Sequence, residues 1–367
     1  MTYAGSATKK ADRHWLFYVL IWLVFGFIVL ISASAPVGFQ RFNDIYFFVK
    51  RQFFLGVLPG LALFLLLARV DYRIWRKLSW LIYGAGLLLL ILVFIPGVGA
   101  VINGSNSWLS LGGYTFQPSE LAKLAIIIMA AALLSDPQRN LEDWKNGLVS
   151  VLAILAPSFL LILLQPDIGT LSILVVIIFA MLYLAKIPKS YLVIMGLLAA
   201  AAFLVLVVIA PYRVQRLTTF LHPELDPKGV GYQVNQAFLA VGSGGFWGLG
   251  YGLSRQKFQY LPEVSADSIY AVLAEEMGFI FAAGLVILIL AFGWRGLKIA
   301  RAAPDNFGRL LTGGIVVWVV WQSFLNISAM VGLLPLTGVP LPFVSHGGSA
   351  LVAALAASGM VANVSKN

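Results

Sequence analysis

Asp267 lies where a polar stretch gives way to an apolar run, in Leu261-Pro262-Glu263-Val264-Ser265-Ala266-Asp267-Ser268-Ile269. A carboxylate so placed can cap the helix that follows, or it can act as general base on a hydroxyl. The chain offers few rivals for such chemistry. Cysteine is absent, and the only histidines are His14, His222 and His346. That excludes a disulfide framework, a thiolate metal site and a cysteine nucleophile, and it makes a histidine-bound zinc a poor fit.

Other charged residues fall in informative places. Glu120 and Lys123 are three apart at the start of an apolar run, so they can share one helix face. They form either a structural ion pair or one wall of a polar cavity. Asp167 sits in the turn Gln165-Pro166-Asp167-Ile168-Gly169-Thr170, as a cap or as part of a site. Glu275 and Glu276 follow Asp267 on one helix, and adjacent residues point about 100° apart. At least one of them should pair with another helix. Arg213 and Arg216, at i and i+3, can clamp a phosphate or pyrophosphate, or they can snorkel to lipid headgroups.

Three uncharged stretches stand out. Residues 232–239, which include Gln236, can form a short helix lying in a membrane interface. Residues 242–252 are glycine-rich, but no strand precedes them and no Lys-Ser/Thr follows, so a nucleotide loop is unsupported. A mobile loop with aromatic anchors is expected instead. Residues 335–349, with Ser345 among them, carry three prolines and three glycines and cannot form one regular helix. Irregular backbone at membrane depth is tolerated only inside protein or beside a wet cavity, so a re-entrant loop shaping a site is expected. Asn326 is placed to hydrogen-bond across helices.

These residues must be carried by membrane-spanning helices. Of 367 residues, 60% are hydrophobic and 11% charged, with a mean hydropathy of +0.91. A soluble domain runs about 45–50% apolar and about 25% charged. The fold class expected is therefore an all-α integral membrane protein. A span needs roughly 20 mostly apolar residues. Ten candidate runs cover 15–35, 52–67, 78–95, 119–134, 147–164, 170–184, 191–212, 268–292, 310–333 and 348–362. The basic start leads into a run too long for a signal-peptide core, so the first span is expected to stay as an uncleaved anchor.

The net charge of +10 reads as membrane orientation rather than as nucleic-acid affinity. With ten spans, sixteen Lys and Arg residues fall on one side and eight on the other, so both termini are expected to be cytoplasmic. The outer connections 96–118, 213–267 and 334–347 are long and rich in Gly, Pro, Trp and Tyr. Function is expected on that face. The whole of 1–367 is expected to form one polytopic domain, with 213–267 as a long extracytoplasmic loop between spans seven and eight. No internal repeat is visible, which argues against an inverted-repeat transporter.

Taken together, several motifs resemble the SEDS family, which comprises FtsW, RodA and SpoVE. They are Phe116-Gln117-Pro118-Ser119-Glu120-Leu121-Ala122-Lys123, the Gln165–Thr170 turn, Gly231-Tyr232-Gln233 with Gly242-Ser243-Gly244-Gly245, Leu261-Pro262-Glu263 with Asp267, Ala274-Glu275-Glu276, and 335–349. Ser32-Ala33-Ser34, Lys50-Arg51-Gln52, Ala303-Pro304-Asp305 with Phe307-Gly308, and Trp321-Gln322 before Asn326-Ile327 bring the chain nearer the FtsW division type. Two departures stand out. Ala266 and Ser268 flank the aspartate where a hydroxyl residue and an aromatic are usual, and His346 replaces a Tyr or Phe.

The resemblance implies an inverting peptidoglycan glycosyltransferase in the bacterial cytoplasmic membrane, with an extracytoplasmic active site that polymerises lipid II. Asp267 would be the catalytic base. Glu120, Lys123, Asp167, Arg213, Arg216, Gln236, Glu275 and Ser345 would contact substrate, and Arg213, Arg216 and Lys123 would face the leaving pyrophosphate. A divalent cation, magnesium or manganese, could share that role. The implied partners are a class B penicillin-binding protein and other divisome or elongasome membrane proteins, with no nucleic acid. The alternatives are a lipid II flippase or other transporter, a structural scaffold, and a RodA-like elongation polymerase.

Overall fold

In the computed structural model the described residues are 10–102, 105–209, 211–226 and 229–366. Helices dominate them. In chain order these are α1 (Arg13–Phe42), α2 (Phe47–Gln52), α3 (Leu58–Arg69), α4 (Arg73–Lys77), α5 (Ser79–Leu92), α6 (Pro118–Leu134), α7 (Ser150–Leu164), α8 (Ile168–Leu184), α9 (Lys189–Ile209), α10 (Pro211–Leu221), α11 (Val230–Gly244), α12 (Ile269–Ala302), α13 (Asn306–Met330) and α14 (Gly348–Val364). A wide turn joins α2 to α3, so that Phe47–Arg69 is one continuous run.

Among the described residues six helices are long and apolar enough to cross a membrane: Arg13–Phe42, Phe47–Arg69, Trp144–Leu164, Lys189–Leu206, Ile269–Ala302 and Asn306–Met330. Shorter apolar helices cover Ser79–Leu92, Ile168–Leu184 and Gly348–Val364. Together these make a multi-pass membrane protein. The centre is built from α6, α13 and α14, whose residues are buried almost all round. A helix apolar on every face belongs in such a position. The outer surfaces of α1, α5 and α9 carry exposed Leu, Ile, Val and Phe, as suits a lipid-facing wall.

Two of the long connections hold more structure than their composition announces. Residues 96–118 contain a three-stranded antiparallel sheet in the order β1 (Gly99–Ile102), β2 (Ser105–Leu111) and β3 (Tyr114–Phe116). Leu111 pairs with Tyr114 across Gly112-Gly113, and both glycines have positive φ. A two-residue hairpin turn needs that backbone. Ser105 Oγ donates to the Gln165 carbonyl (2.8 Å), which ties the sheet to the turn before α8. The connection 213–267 contains most of α10 and all of α11, and α11 packs against α12.

The glycine-rich stretch is docked rather than loose. Gly278 breaks α12 with φ 71° and ψ −175°. The backbone groups freed there need partners. Leu249 N–H donates to the Glu275 carbonyl (3.0 Å) and Gly250 N–H to that of Glu276 (2.9 Å), while Phe279 N–H donates to the Gly245 carbonyl (3.0 Å). Residues 244–250 thus complete the interrupted helix. They also explain the acidic pair beside it. Glu275 Oε2 accepts from Ser254 Oγ (2.5 Å) and its Oε1 from Arg255 N–H (2.9 Å). Glu276 Oε1 accepts from Lys257 Nζ and from Ser32 Oγ on α1, each at 2.7 Å.

Candidate active site

Asp267 directly precedes α12. Ser268, not Asp267, takes the N-cap position, and no side chain caps the helix end. The aspartate is therefore not spent on capping. Its Oδ1 is buried and has no hydrogen-bond partner among the described residues. An unpartnered buried oxygen is costly and marks a place where strain or chemistry is held. Burial, and then the nearby Glu263 carboxylate, push the Asp267 carboxyl from its ordinary 3.8 up to about 7, against weaker opposing contacts from Gln233 and Ser268. A base that titrates near neutrality suits proton transfer at physiological pH.

The loop between α13 and α14 passes directly behind this carboxylate. It is irregular and largely buried, as the prolines and glycines of 335–349 foretold. Gln52 on α2 donates from Nε2 to the Ser345 carbonyl (3.2 Å) and accepts at Oε1 from Gly347 N–H (3.0 Å). Gln322 Nε2 on α13 donates to the Pro340 carbonyl (2.9 Å).

In front of Asp267 opens a cavity of about 1530 Å³. That exceeds the few hundred to about 1,000 Å³ usual for small-ligand sites. Its polar part is lined by Asp267, Glu263, Asp167, His346, Arg41, Arg51 and Arg216, with Ser105, Ser107, Trp108 and Thr115 from the sheet. Its apolar part runs along Leu171, Val175 and Val176 of α8 and Ala199, Ala202, Phe203 and Leu206 of α9. A second apolar edge is formed by Leu55, Pro59 and Val352. Burial, and then Arg51, lower His346 to about 4, so its imidazole is neutral near pH 7.

The expected site residues divide into two groups. Asp167 lines the cavity and also caps α8, accepting from Thr170 N–H (2.9 Å) and Thr170 Oγ1 (2.8 Å). Arg216 lines the cavity on α10. Arg213 belongs to the same helix, but its side chain lies outside the described residues.

Glu120 and Lys123 pair at 2.9 Å with side chains 1% and 0% exposed, and neither lines the cavity. Lys123 Nζ also donates to Gln322 Oε1 (2.6 Å) and lies over the Trp318 ring. Packing against α13 has closed off the face that their spacing left open. Glu275 is likewise not at the cavity, because its carboxylate is consumed by the 254–256 turn. Ser345 is 4% exposed and faces the backbone beside Asp267 rather than the cavity. Gln236 is half-buried on α11 and does not line the cavity. One turn earlier, Gln233 Nε2 donates to Ser268 Oγ (3.0 Å).

Arg41, Arg51, Glu263 and His346 were not singled out as contacts. The signal for the arginines is their place among the sparse basic residues of the connections expected to face outward. Trp108 lines the cavity, whereas Trp247 is 77% exposed and Tyr251 OH donates to the Ile28 carbonyl (2.8 Å). Among the described residues no cluster of three or more His, Cys, Asp or Glu could hold a metal ion. Glu263 and Asp267 are the carboxylates nearest to such a role, and two carboxylates fall short of an all-protein divalent site.

Comparison with known proteins places this geometry. The family model described as "Cell cycle protein", for FtsW, RodA and SpoVE, matches residues 13–367. The chain is 42% identical over 361 residues to stage V sporulation protein E of Bacillus subtilis (strain 168), covering 98% of both chains. It is 37% identical over 350 residues to a probable peptidoglycan glycosyltransferase FtsW of Geobacter sp. (strain M18), covering 95% of both. Among solved structures it is similar to a chain of the work described as "Structural coordination of polymerization and crosslinking by a peptidoglycan synthase complex". That similarity has a TM-score of 0.78 at 30% identity and covers 97% of each chain. It is also similar to the rod shape determining protein RodA of Thermus thermophilus, with a TM-score of 0.70 at 30% identity, covering 97% of this chain and 96% of that one.

Proposed function

The chain belongs to the FtsW, RodA and SpoVE family of cell cycle proteins, and from that premise we propose that it is a peptidoglycan glycosyltransferase polymerising lipid II at the outer face of the bacterial cytoplasmic membrane. The ten crossings and cytoplasmic termini expected from the sequence would put Asp267 on that face. Asp267 accepts the proton of the GlcNAc 4-hydroxyl of an acceptor lipid II. The freed oxygen attacks the anomeric carbon of the MurNAc that ends the growing strand, and undecaprenyl pyrophosphate leaves. The configuration inverts to a β-1,4 bond, so one base suffices and no glycosyl-enzyme forms.

Charge building on the departing pyrophosphate calls for nearby cations. Arg216, Arg51 and Arg41 line the same cavity as Asp267 and fill that role, with Arg213 on the same helix as Arg216. Lys123 does not, because it is sealed in its pair with Glu120. The apolar walls along α8 and α9, and by Leu55 and Val352, suit the prenyl tails of donor and acceptor. Trp108 offers a ring face to a sugar.

The work is shared with a class B penicillin-binding protein that crosslinks the product. The similarity to a chain of a peptidoglycan synthase complex supports that pairing. The residues nearer the FtsW type support a role in division septum synthesis, with RodA-like elongation as the alternative.

The observation that carries this reading is that Asp267, whose buried Oδ1 has no partner among the described residues, lines a cavity shared by three arginines and the apolar walls of α8 and α9. The test uses purified full-length protein with its penicillin-binding partner, lipid II in detergent and no ion gradient. Wild type should make glycan polymer. Asp267→Asn should lose about 10²–10⁴-fold in rate. Polymer from the Asn variant at the wild-type rate would refute the assignment. A flippase would instead move lipid II across bilayers without making polymer.

A further inference from the structure

Three successive carbonyls around Asp267 are gripped by groups from the C-terminal quarter of the chain. His346 N–H donates to the Ser265 carbonyl (2.7 Å), Ser345 Oγ to that of Ala266 (2.5 Å), and Asn326 Nδ2 to that of Asp267 itself (2.8 Å). On the other side, Ala266 N–H (3.0 Å) and Ser268 N–H (3.2 Å) both donate to the Glu263 carbonyl. Glu263 holds φ at 50°, in the left-handed region that a non-glycine residue rarely occupies. A conformation of this kind persists only when its surroundings over-determine it.

Asn326 does more than fill space. Its Nδ2 spends one N–H on Asp267 and the other on the Val339 carbonyl (2.8 Å), so a single amide joins α13, the 335–347 loop and the base. Its own Oδ1 is left buried without a partner among the described residues. Ser345 Oγ, besides donating to Ala266, accepts from Leu341 N–H (2.8 Å), which braces the loop that carries it. Asn326 and Ser345 are 2% and 4% exposed, and neither lines the cavity.

We propose that Asn326 and Ser345 are positioning residues that fix the Asp267 backbone, so that its carboxylate meets the acceptor hydroxyl in one orientation. The proposal rests on the reading of Asp267 as the base. A catalytic group displaced by about 1 Å can lose about 10²-fold in rate. With the backbone released, the carboxylate would also gain water and lose part of the burial that raises its proton affinity. The charged and titratable groups lining the same cavity are Glu263, Asp167, Arg41, Arg51, Arg216 and His346. They stay in place in the variants below.

The test is lipid II polymerisation by the full-length protein with its penicillin-binding partner, read as kcat and KM across neutral pH. Asn326→Ala and Ser345→Ala should each lower kcat about tenfold to a hundredfold with little change in KM. The acid limb of the profile should move down by about one pH unit. Ser345→Thr keeps the hydroxyl and should restore both quantities. Ser323→Ala removes a buried hydrogen bond on the same helix, from Ser323 Oγ to the Val319 carbonyl (2.7 Å), and should behave as wild type. Should Asn326→Ala fail to fold, the Ser345→Ala and Ser345→Thr pair decides alone. Folded Asn326 and Ser345 variants with wild-type kcat and acid limb, beside an inactive Asp267→Asn, would overturn the proposal. An active Asp267→Asn would instead overturn the assignment of the base.

Discussion

Gly248 and Gly278 meet backbone to backbone. A Cβ built on Gly278 would lie 2.3 Å from the Gly248 nitrogen, and one built on Gly248 would lie 2.2 Å from the Glu276 carbonyl oxygen. Gly278 also has φ 71° and ψ −175°, a region that only glycine occupies freely. Gly278→Ala should therefore destabilise the protein by at least about 1–3 kcal/mol. Thermal unfolding in detergent checks this, and an unchanged midpoint would show that the break in α12 tolerates a side chain.

Asp267 sets a pH dependence of definite sign. A base must be deprotonated to work, so polymerisation should fall about tenfold per pH unit below about 7. Stability should run the other way. The folded-state proton affinity is raised, so as pH climbs from about 4 to about 7 the unfolded chain loses its proton first, and the wild type loses stability over that window. Asp267→Asn cannot ionise and should lack this loss. Paired melting curves on the acid and alkaline sides of neutrality, with no difference between the two proteins, would contradict the burial argument.

The sealed Glu120–Lys123 pair predicts a stability phenotype. Lys123→Ala would leave the Glu120 carboxylate buried without its partner, which typically costs about 3–5 kcal/mol. Folded yield and melting temperature should drop. The double change Glu120→Gln with Lys123→Met should recover much of the loss, because it removes both charges. A Lys123→Ala protein with normal stability and a raised KM would place Lys123 at the substrate instead.

The cavity arginines predict the opposite pattern. Arg51→Gln and Arg216→Gln should each cut turnover by about tenfold, the scale of one charge-assisted hydrogen bond. The melting temperature of Arg216→Gln, and partner binding by both variants, should stay the same. Full turnover from the double variant would assign both side chains to headgroup anchoring.

What the sequence disclosed depended on how local the information was. The apolar runs and the irregular 335–349 loop are written in composition; helices cover the runs, and among the described residues six are long and apolar enough to cross a membrane. The Glu120–Lys123 contact follows from spacing on one helix. Its closure does not, because Gln322 and Trp318 arrive from a distant helix. Glu275 shows the same limit: adjacency to Glu276 said that the two must diverge, but not that the 254–256 turn would take one and Lys257 the other. Gln233 and Gln236 are one turn apart, and only the packing of α11 on α12 chooses between them. Arg41 and Arg51 became visible as cavity residues once stretches of chain far apart in sequence had been brought together.

The docking of residues 244–250 on α12 bears on how the protein is made. The glycine segment leaves the ribosome before Ile269, so it must wait with unpaired amides until the later helix emerges. That helix in turn cannot finish its backbone bonding at Gly278 without the waiting segment. The two mature as one unit across the intervening turn, and a chain truncated between them would hand the insertion machinery half of a joint.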